Sequence, residues 1–334
     1  MTLLTVPVLD ISALRTGAAP ARREVAAAID RACRDIGFLV VSGHGVDEGL
    51  LQRISSVSRA FFDLDLAEKQ RVARPAPDVA RGYIGLGEES VARSRGEAEA
   101  PGDLNESLMI GPVDVPRDGS GDAYFTAPEA GRHFHPNLWP ERPPALRPLY
   151  EDGFRALSTL AATIMRGFAL ALDLPETYFE AAIGRHISRL RVRNYPAQQA
   201  TPLPGQLRVG AHCDYGSLTI LRTEDVPGGL QVMNKRGDWV DVPILPGTFI
   251  INIGELMARW TNDRWVATLH RVVNPPRRAG AETRRLSIVF FHNPNYDTDI
   301  SCLPSCTGPG HPPRYAPTTS GAHLRGQFVR TQAA

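Results

Sequence analysis

Two polar motifs set far apart constrain this chain more than anything else in it: His212-Cys213-Asp214 and, 56 residues beyond Asp214, His270. On a β-strand the side chains at i and i+2 share a face, so His212 and Asp214 can address one ion while Cys213 points away. Cys213 therefore falls outside the ligand set. Two imidazoles and one carboxylate can occupy one face of an octahedral ferrous ion and leave three positions open. A metal held only for structure is more often enclosed by four protein ligands, usually including thiolates. The interval to His270 is too long for one hairpin, so this ligand must return from another part of a sheet. A barrel or sandwich of strands meets that requirement.

A second pattern lies downstream. Arg285 and Ser287 repeat the i, i+2 relation on Arg-Leu-Ser-Ile-Val-Phe-Phe, a run rich in β-branched and aromatic residues. One face carries Arg285, Ser287, Val289 and Phe291; the other carries Leu286, Ile288 and Phe290. Apolar residues on both faces predict a strand buried on both sides. A guanidinium in such a place needs an anion, because an unpaired buried charge costs several kcal/mol.

With these motifs on the page a family resemblance can be stated. His212-x-Asp214, His270 and Arg285-x-Ser287 resemble the signature of the Fe(II)- and 2-oxoglutarate-dependent dioxygenases, in the branch that includes isopenicillin N synthase. Gly37-Phe38, His44-Gly45-Val46, Arg81-Gly82-Tyr83 and Asp103-Leu104-Asn105-Glu106 resemble the branch's earlier blocks. Asn194-Tyr195-Pro196, Gly228-Gly229-Leu230-Gln231-Val232 and Asn293-Pro294 resemble its core. The likeness runs in order from about residue 5 to about residue 325. Each motif alone is weak, since His-x-Asp triplets are common.

The resemblance implies an α+β, β-rich fold: a double-stranded β-helix, or jelly roll, with N-terminal helices packed on its outer face. It implies Fe(II) on His212, Asp214 and His270, with 2-oxoglutarate as co-substrate and O2 as oxidant. The distal carboxylate of 2-oxoglutarate would meet Arg285 and Ser287, with Tyr195 adding a third bond; an arginine fork suits a carboxylate because two parallel bonds fix orientation as well as affinity. Arg193 stands where relatives often have asparagine. Release of succinate and CO2 would accompany hydroxylation, desaturation or ring formation on a small specialised metabolite or modified amino acid. Val289 and Phe291, sharing the Arg285 face, are pocket candidates beside Arg193, as are Tyr83 and Glu106 from loop segments.

Two rival functions stand beside this one. Isopenicillin N synthase uses the same arginine-serine pair to hold its substrate's carboxylate and needs no 2-oxoglutarate; it also has a glutamine near its C-terminus that can ligate iron, for which Gln327 and Gln332 are the candidates here. The other rival is a jelly-roll protein that binds a metal and a carboxylate without turnover.

Composition sets limits without finding the function. A net charge of +1 over 334 residues gives no support for a nucleic-acid surface. Cys33, Cys213, Cys302 and Cys306 are too few and scattered for a disulfide scaffold, and the last two read as ordinary thiols. No signal peptide is evident, and no apolar run approaches the roughly 20 residues that span a bilayer. These features predict a cytoplasmic protein with no membrane partner and set no oligomeric state; the small-molecule substrate is what the resemblance implies.

The helical period dominates before about residue 185. Pro20–Asp35 carries Val25, Ile29 and Ala32 on one stripe, Asp47 reads as the N-cap of 48–62, and 145–172 carries Leu157, Leu160, Ile164, Phe168 and Ala171. Within this region, 1–185, the Gly- and Pro-rich segment 73–143 reads as a long loop or lid. The jelly-roll core is expected at 186–295, with strands at 187–195, 217–223, 229–233, 248–253, 267–273 and 284–292; 296–334 reads as a tail of the same unit. Gly43-His44-Gly45 imitates a dinucleotide-binding turn but departs from its spacing and is assigned to turn geometry. His133 and His135 read as solvated loop imidazoles.

Overall fold

The computed structural model describes residues 5–97, 99–116, 122–198, 200–276 and 282–333, with side chains described for these except 94, 95 and 328–333. Its strands are β1 (Val8–Asp10), β2 (Phe38–Ser42), β3 (Gly82–Ile84), β4 (Glu106–Ile110), β5 (Arg189–Tyr195), β6 (Val209–His212), β7 (Leu218–Thr223), β8 (Leu230–Met233), β9 (Trp239–Asp241), β10 (Phe249–Ile253), β11 (His270–Val272) and β12 (Arg285–His292), followed by a minor pair, β13 (Asp299–Ile300) and β14 (Thr318–Thr319). Among the described residues, eight strands form a large sheet in the order β1-β2-β10-β7-β12-β5-β4-β3, and four form a smaller one, β6-β11-β8-β9. The β1–β2 pair is parallel; the other pairs of both sheets are antiparallel. This is the expected jelly-roll core.

The large sheet is covered on one face by helices. Leu39 and Val41 of β2 and Leu286, Ile288 and Phe290 of β12 join the core that includes the helices Ala19–Asp35, Glu48–Phe62 and Leu146–Ala171. Phe38 and Val40 turn to the opposite side, where Val209, Leu230, Val232 and Val272 of the small sheet meet them. The continuous apolar runs of β2 and β12 are thus explained by burial on both faces. The Asp47 carboxylate accepts from the Gly49 and Leu50 amides and starts its helix as the sequence predicts. The stripe at Leu157, Leu160, Ile164, Phe168 and Ala171 is buried.

Three expectations change. Segment 73–143 contributes β3 and β4 to the large sheet, pairing next to β5; these strands are short and bounded by glycine and proline, which hid them. Residues 320–333 form a helix where only a tail was expected. His133 is buried, stacked on Tyr296 at 5.9 Å, and is not solvated. Among the described residues no helix is long and apolar enough to cross a membrane. At the decoy turn, Gly43 and Gly45 have φ of +68° and +76°, and the His44 ring accepts from the Val46 amide, so the motif serves backbone geometry.

Candidate active site

The two sheets divide the work of building the site. His212 ends β6 and His270 begins β11, and the two are cross-strand partners in the small sheet. Asp214 lies just beyond β6, and the large sheet fixes it: its Oδ2 accepts from Thr219 Oγ1 of β7 at 2.6 Å and from Asn252 Nδ2 of β10 at 2.7 Å. The Nδ1 atoms of His212 and His270 face the carbonyls of Gly210 and Thr268 at 2.9 and 3.0 Å. Each Nε2 is thereby aimed at the carboxylate, 3.7 Å from Oδ1 for His212 and 3.8 Å from Oδ2 for His270. Among the described residues these three side chains are the group able to share one metal ion, with ligand atoms within 4.8 Å of one another.

Protonation suits a cation as well. Burial, aided by the charge of His270, pushes the His212 imidazole down to about 3, so it is neutral at physiological pH. Burial alone would raise Asp214, but the two imidazoles and the Asn252 and Thr219 bonds outweigh it and hold the carboxyl below its ordinary value. Neutral imidazole and ionised carboxylate are the metal-binding forms. The carbonyl bonds to Nδ1 orient the rings, as outer-shell partners of metal-bound histidines do. The donor set and its orientation therefore fit a ferrous ion. Cys213 turns its thiol to the Ala267 carbonyl at 3.5 Å, consistent with its exclusion from the ligands.

The arginine–serine pair lies on the inward face of β12. Ser287 pairs across the sheet with Arg193 of β5 and Thr223 of β7, and Arg285 pairs with Tyr195. Arg285 is 1% exposed; its Nε donates to Thr223 Oγ1 at 2.7 Å and its Nη1 to the Gly228 carbonyl at 2.5 Å. The Ser287 hydroxyl lies 2.8 Å from Thr223 Oγ1, and the Tyr195 ring centroid lies 5.6 Å from the Arg285 guanidinium carbon. Thr223 and Arg208 are members of this corner that sequence reasoning missed. No spacing pattern distinguishes either; both become visible only through the folded register.

A cavity of about 590 Å³ opens beside the ligands. His212 and Asp214 form part of its wall with Arg189, Arg191, Arg193, Phe291 and Asn293, while Arg74, Ile84, Glu88 and Glu89 enter from segment 73–143 and Leu324 from the C-terminal helix. The fold thus brings Arg193 and Phe291 to the cavity wall beside the ligands. Val289 is buried but lies outside this lining. Tyr83 and Glu106 are a correction: Glu106 is on the helix-facing side of β4, where it accepts from Tyr83 OH at 2.6 Å, Lys69 Nζ at 2.8 Å and Asn194 Nδ2 at 2.8 Å. Strand alternation puts Ser107 and Met109, not Glu106, on the inward face. Gln327 donates to Glu255, and the Gln332 side chain lies outside the described residues.

A jelly roll that gathers two imidazoles and a carboxylate beside a cavity, with a buried arginine on the large sheet, defines a non-haem iron oxygenase. Residues 6–142 match a family described as non-haem dioxygenase in morphine synthesis N-terminal, and residues 186–294 match the 2OG-Fe(II) oxygenase superfamily. Homoarginine-6-hydroxylase of Glycine max is 33% identical over 312 residues, covering 90% of this chain and 88% of its own. Validamycin A dioxygenase of Streptomyces hygroscopicus subsp. limoneus is 30% identical, covering 92% and 81%. A full-length Neurospora crassa protein crystallised in complex with alpha-KG superposes with a TM-score of 0.84 at 30% identity, covering 98% of this chain and 96% of that one. The chain belongs to the 2OG-Fe(II) oxygenase superfamily. It is an Fe(II)- and 2-oxoglutarate-dependent dioxygenase, with O2 as the other co-substrate.

Proposed function

We propose that His212, Asp214 and His270 hold the iron, that Arg285 with Ser287 and Thr223 takes the distal carboxylate of 2-oxoglutarate, and that the enzyme hydroxylates a polar, nitrogen-bearing small molecule. The carrying observation is that His212 and Asp214 of the three-residue cluster form part of the wall of the 590 Å³ cavity, while Arg285 lies only one inward residue beyond the Ser287–Arg193 pair. Two residues of strand span about 7 Å, the scale of a short dicarboxylate.

Iron held there would activate O2, the oxidant, which takes two electrons from 2-oxoglutarate as it is decarboxylated to succinate and two from the substrate. The chain's own residues place the partners. Thr219 and Asn252 fix the Asp214 carboxylate so that it cannot rotate away from the histidines. Arg285 and Ser287 orient the co-substrate, and Tyr195 walls it from water. Phe291 and Met109 give the substrate cavity apolar surface, while Arg189, Arg191, Glu89 and Asn293 give it polar contacts. Solved relatives hold thymine or 5-formyluracil, and other relatives are named for homoarginine and validamycin A; all four are polar, nitrogen-bearing molecules. Four free cysteines suit the reducing cytoplasm.

Fe(II)-loaded protein should release succinate in air at a rate stimulated by the substrate when such molecules are supplied as a panel. His212→Ala should lose both that release and Fe(II) binding. Substrate oxidation without succinate would overturn the 2-oxoglutarate reading in favour of an oxidase of the isopenicillin N synthase type.

A further inference from the structure

Arg208 sits one residue before β6 and is 2% exposed, yet nothing in the metal site or in the arginine–serine signature accounts for it. Its guanidinium carbon lies 5.6 Å from the Tyr195 ring centroid, the same separation that Arg285 has from that ring. Two buried cations therefore share one tyrosine. Arg208 Nη1 donates to the Pro227 carbonyl at 3.4 Å and Nη2 donates to the Thr283 carbonyl. These carbonyls flank Arg285 in the chain and its hydrogen-bonded turn: Pro227 precedes Gly228, whose carbonyl accepts from Arg285 Nη1, and Thr283 stands two residues before Arg285. Among the described residues neither arginine makes an ion pair with a carboxylate. Burial, then the charge of Arg285, pushes the Arg208 guanidinium down to about 10, so the two cations disfavour each other until an anion arrives.

We propose that Arg208 is a positioning residue for 2-oxoglutarate: it fixes the turn and the strand start that aim Arg285, and adds a second positive charge behind the distal carboxylate. This rests on Arg285 holding that carboxylate. Removing Arg208 should weaken 2-oxoglutarate while sparing a keto acid that chelates iron but lacks the distal carboxylate.

Anaerobic calorimetric titration of the Fe(II)-loaded protein with 2-oxoglutarate and with 2-oxopentanoate tests this. Arg208→Met should weaken 2-oxoglutarate about thirtyfold and change 2-oxopentanoate affinity by less than about threefold. Arg208→Lys keeps a cation but cannot bridge both carbonyls, and should lose about three- to tenfold for 2-oxoglutarate alone. A general disturbance of the fold would weaken both acids together, and that outcome, or an unchanged ratio in a folded Lys or Met variant, overturns the proposal. Should Met at 208 prevent folding, the Lys variant decides on the same ratio. Arg285→Gln is the control. Loss of selectivity in Arg285→Gln but not in either Arg208 variant removes Arg208 alone; retained selectivity in Arg285→Gln removes the clamp reading itself.

Discussion

The large sheet buries charge on both faces and handles it in opposite ways. On the helix-facing side Glu106 accepts from Lys69, Tyr83 and Asn194, Asn194 accepts from Arg284, and Arg284 reaches Asp63 at 2.7 Å. Each charge there has an opposite charge within hydrogen-bond reach. On the inward side Arg285, and Arg208 which comes beside it from the approach to β6, donate to hydroxyl and carbonyl oxygens, which satisfy N–H groups without balancing charge. A closed network ties strands to helices. An open one holds desolvation cost in reserve until a ligand brings the missing charge.

Arg285→Ala gives the strongest test of this contrast. Loss of one partner of a buried pair costs about 3 to 5 kcal/mol, so the 2-oxoglutarate dissociation constant should rise by about a hundredfold to a few thousandfold. Folding stability should change little, because the apo site already carries an unbalanced cation. An unchanged dissociation constant would show that another residue holds the anion. Glu106→Ala should do the reverse. It strands Lys69, whose side chain is 11% exposed, and should lower unfolding free energy by about 3 to 5 kcal/mol in urea titrations. Its 2-oxoglutarate affinity should stay within about twofold of the parent. A large affinity loss in Glu106→Ala would erase the distinction between the faces.

That distinction also marks what the sequence could disclose. The clustering of His212, Asp214 and His270 was legible because strand alternation and a long return interval leave few other arrangements for them. The strand carrying Arg285 and Ser287 was legible because both of its faces read as buried. Asn252 and Thr219, which fix Asp214, were not, since asparagine and threonine in apolar strands carry no spacing signal. Tyr83 and Glu106 read as pocket residues only while the short β3 and β4 read as loop; once β4 forms, alternation sends Glu106 to the helices. Arg208 and Thr223 required knowledge of which strands lie side by side.

Within the inward face the contrast has a gradient, and Glu89 measures it. At the cavity end Arg191 donates to Glu89 at 2.6 Å and Arg74 approaches it at 3.9 Å, so this end of the arginine row has a carboxylate that the clamp end lacks. Burial alone would raise Glu89, but Arg191, Arg193 and Arg74 outweigh it and push the carboxyl down to about 2. A folded-state value below the ordinary glutamate value of about 4.3 gives stability that is present above that pH and lost as pH falls toward 2. Glu89→Gln removes the contribution, so parent and variant should differ most at pH 6 to 7. The gap should narrow by at most about 1.4 kcal/mol per pH unit below about 4.3. Urea midpoints between pH 7 and 3.5 provide the check, and a gap independent of pH would mean that the arginines do not hold Glu89 ionised. The variant should also resemble the clamp end, with a cavity wall whose cations favour an added anion.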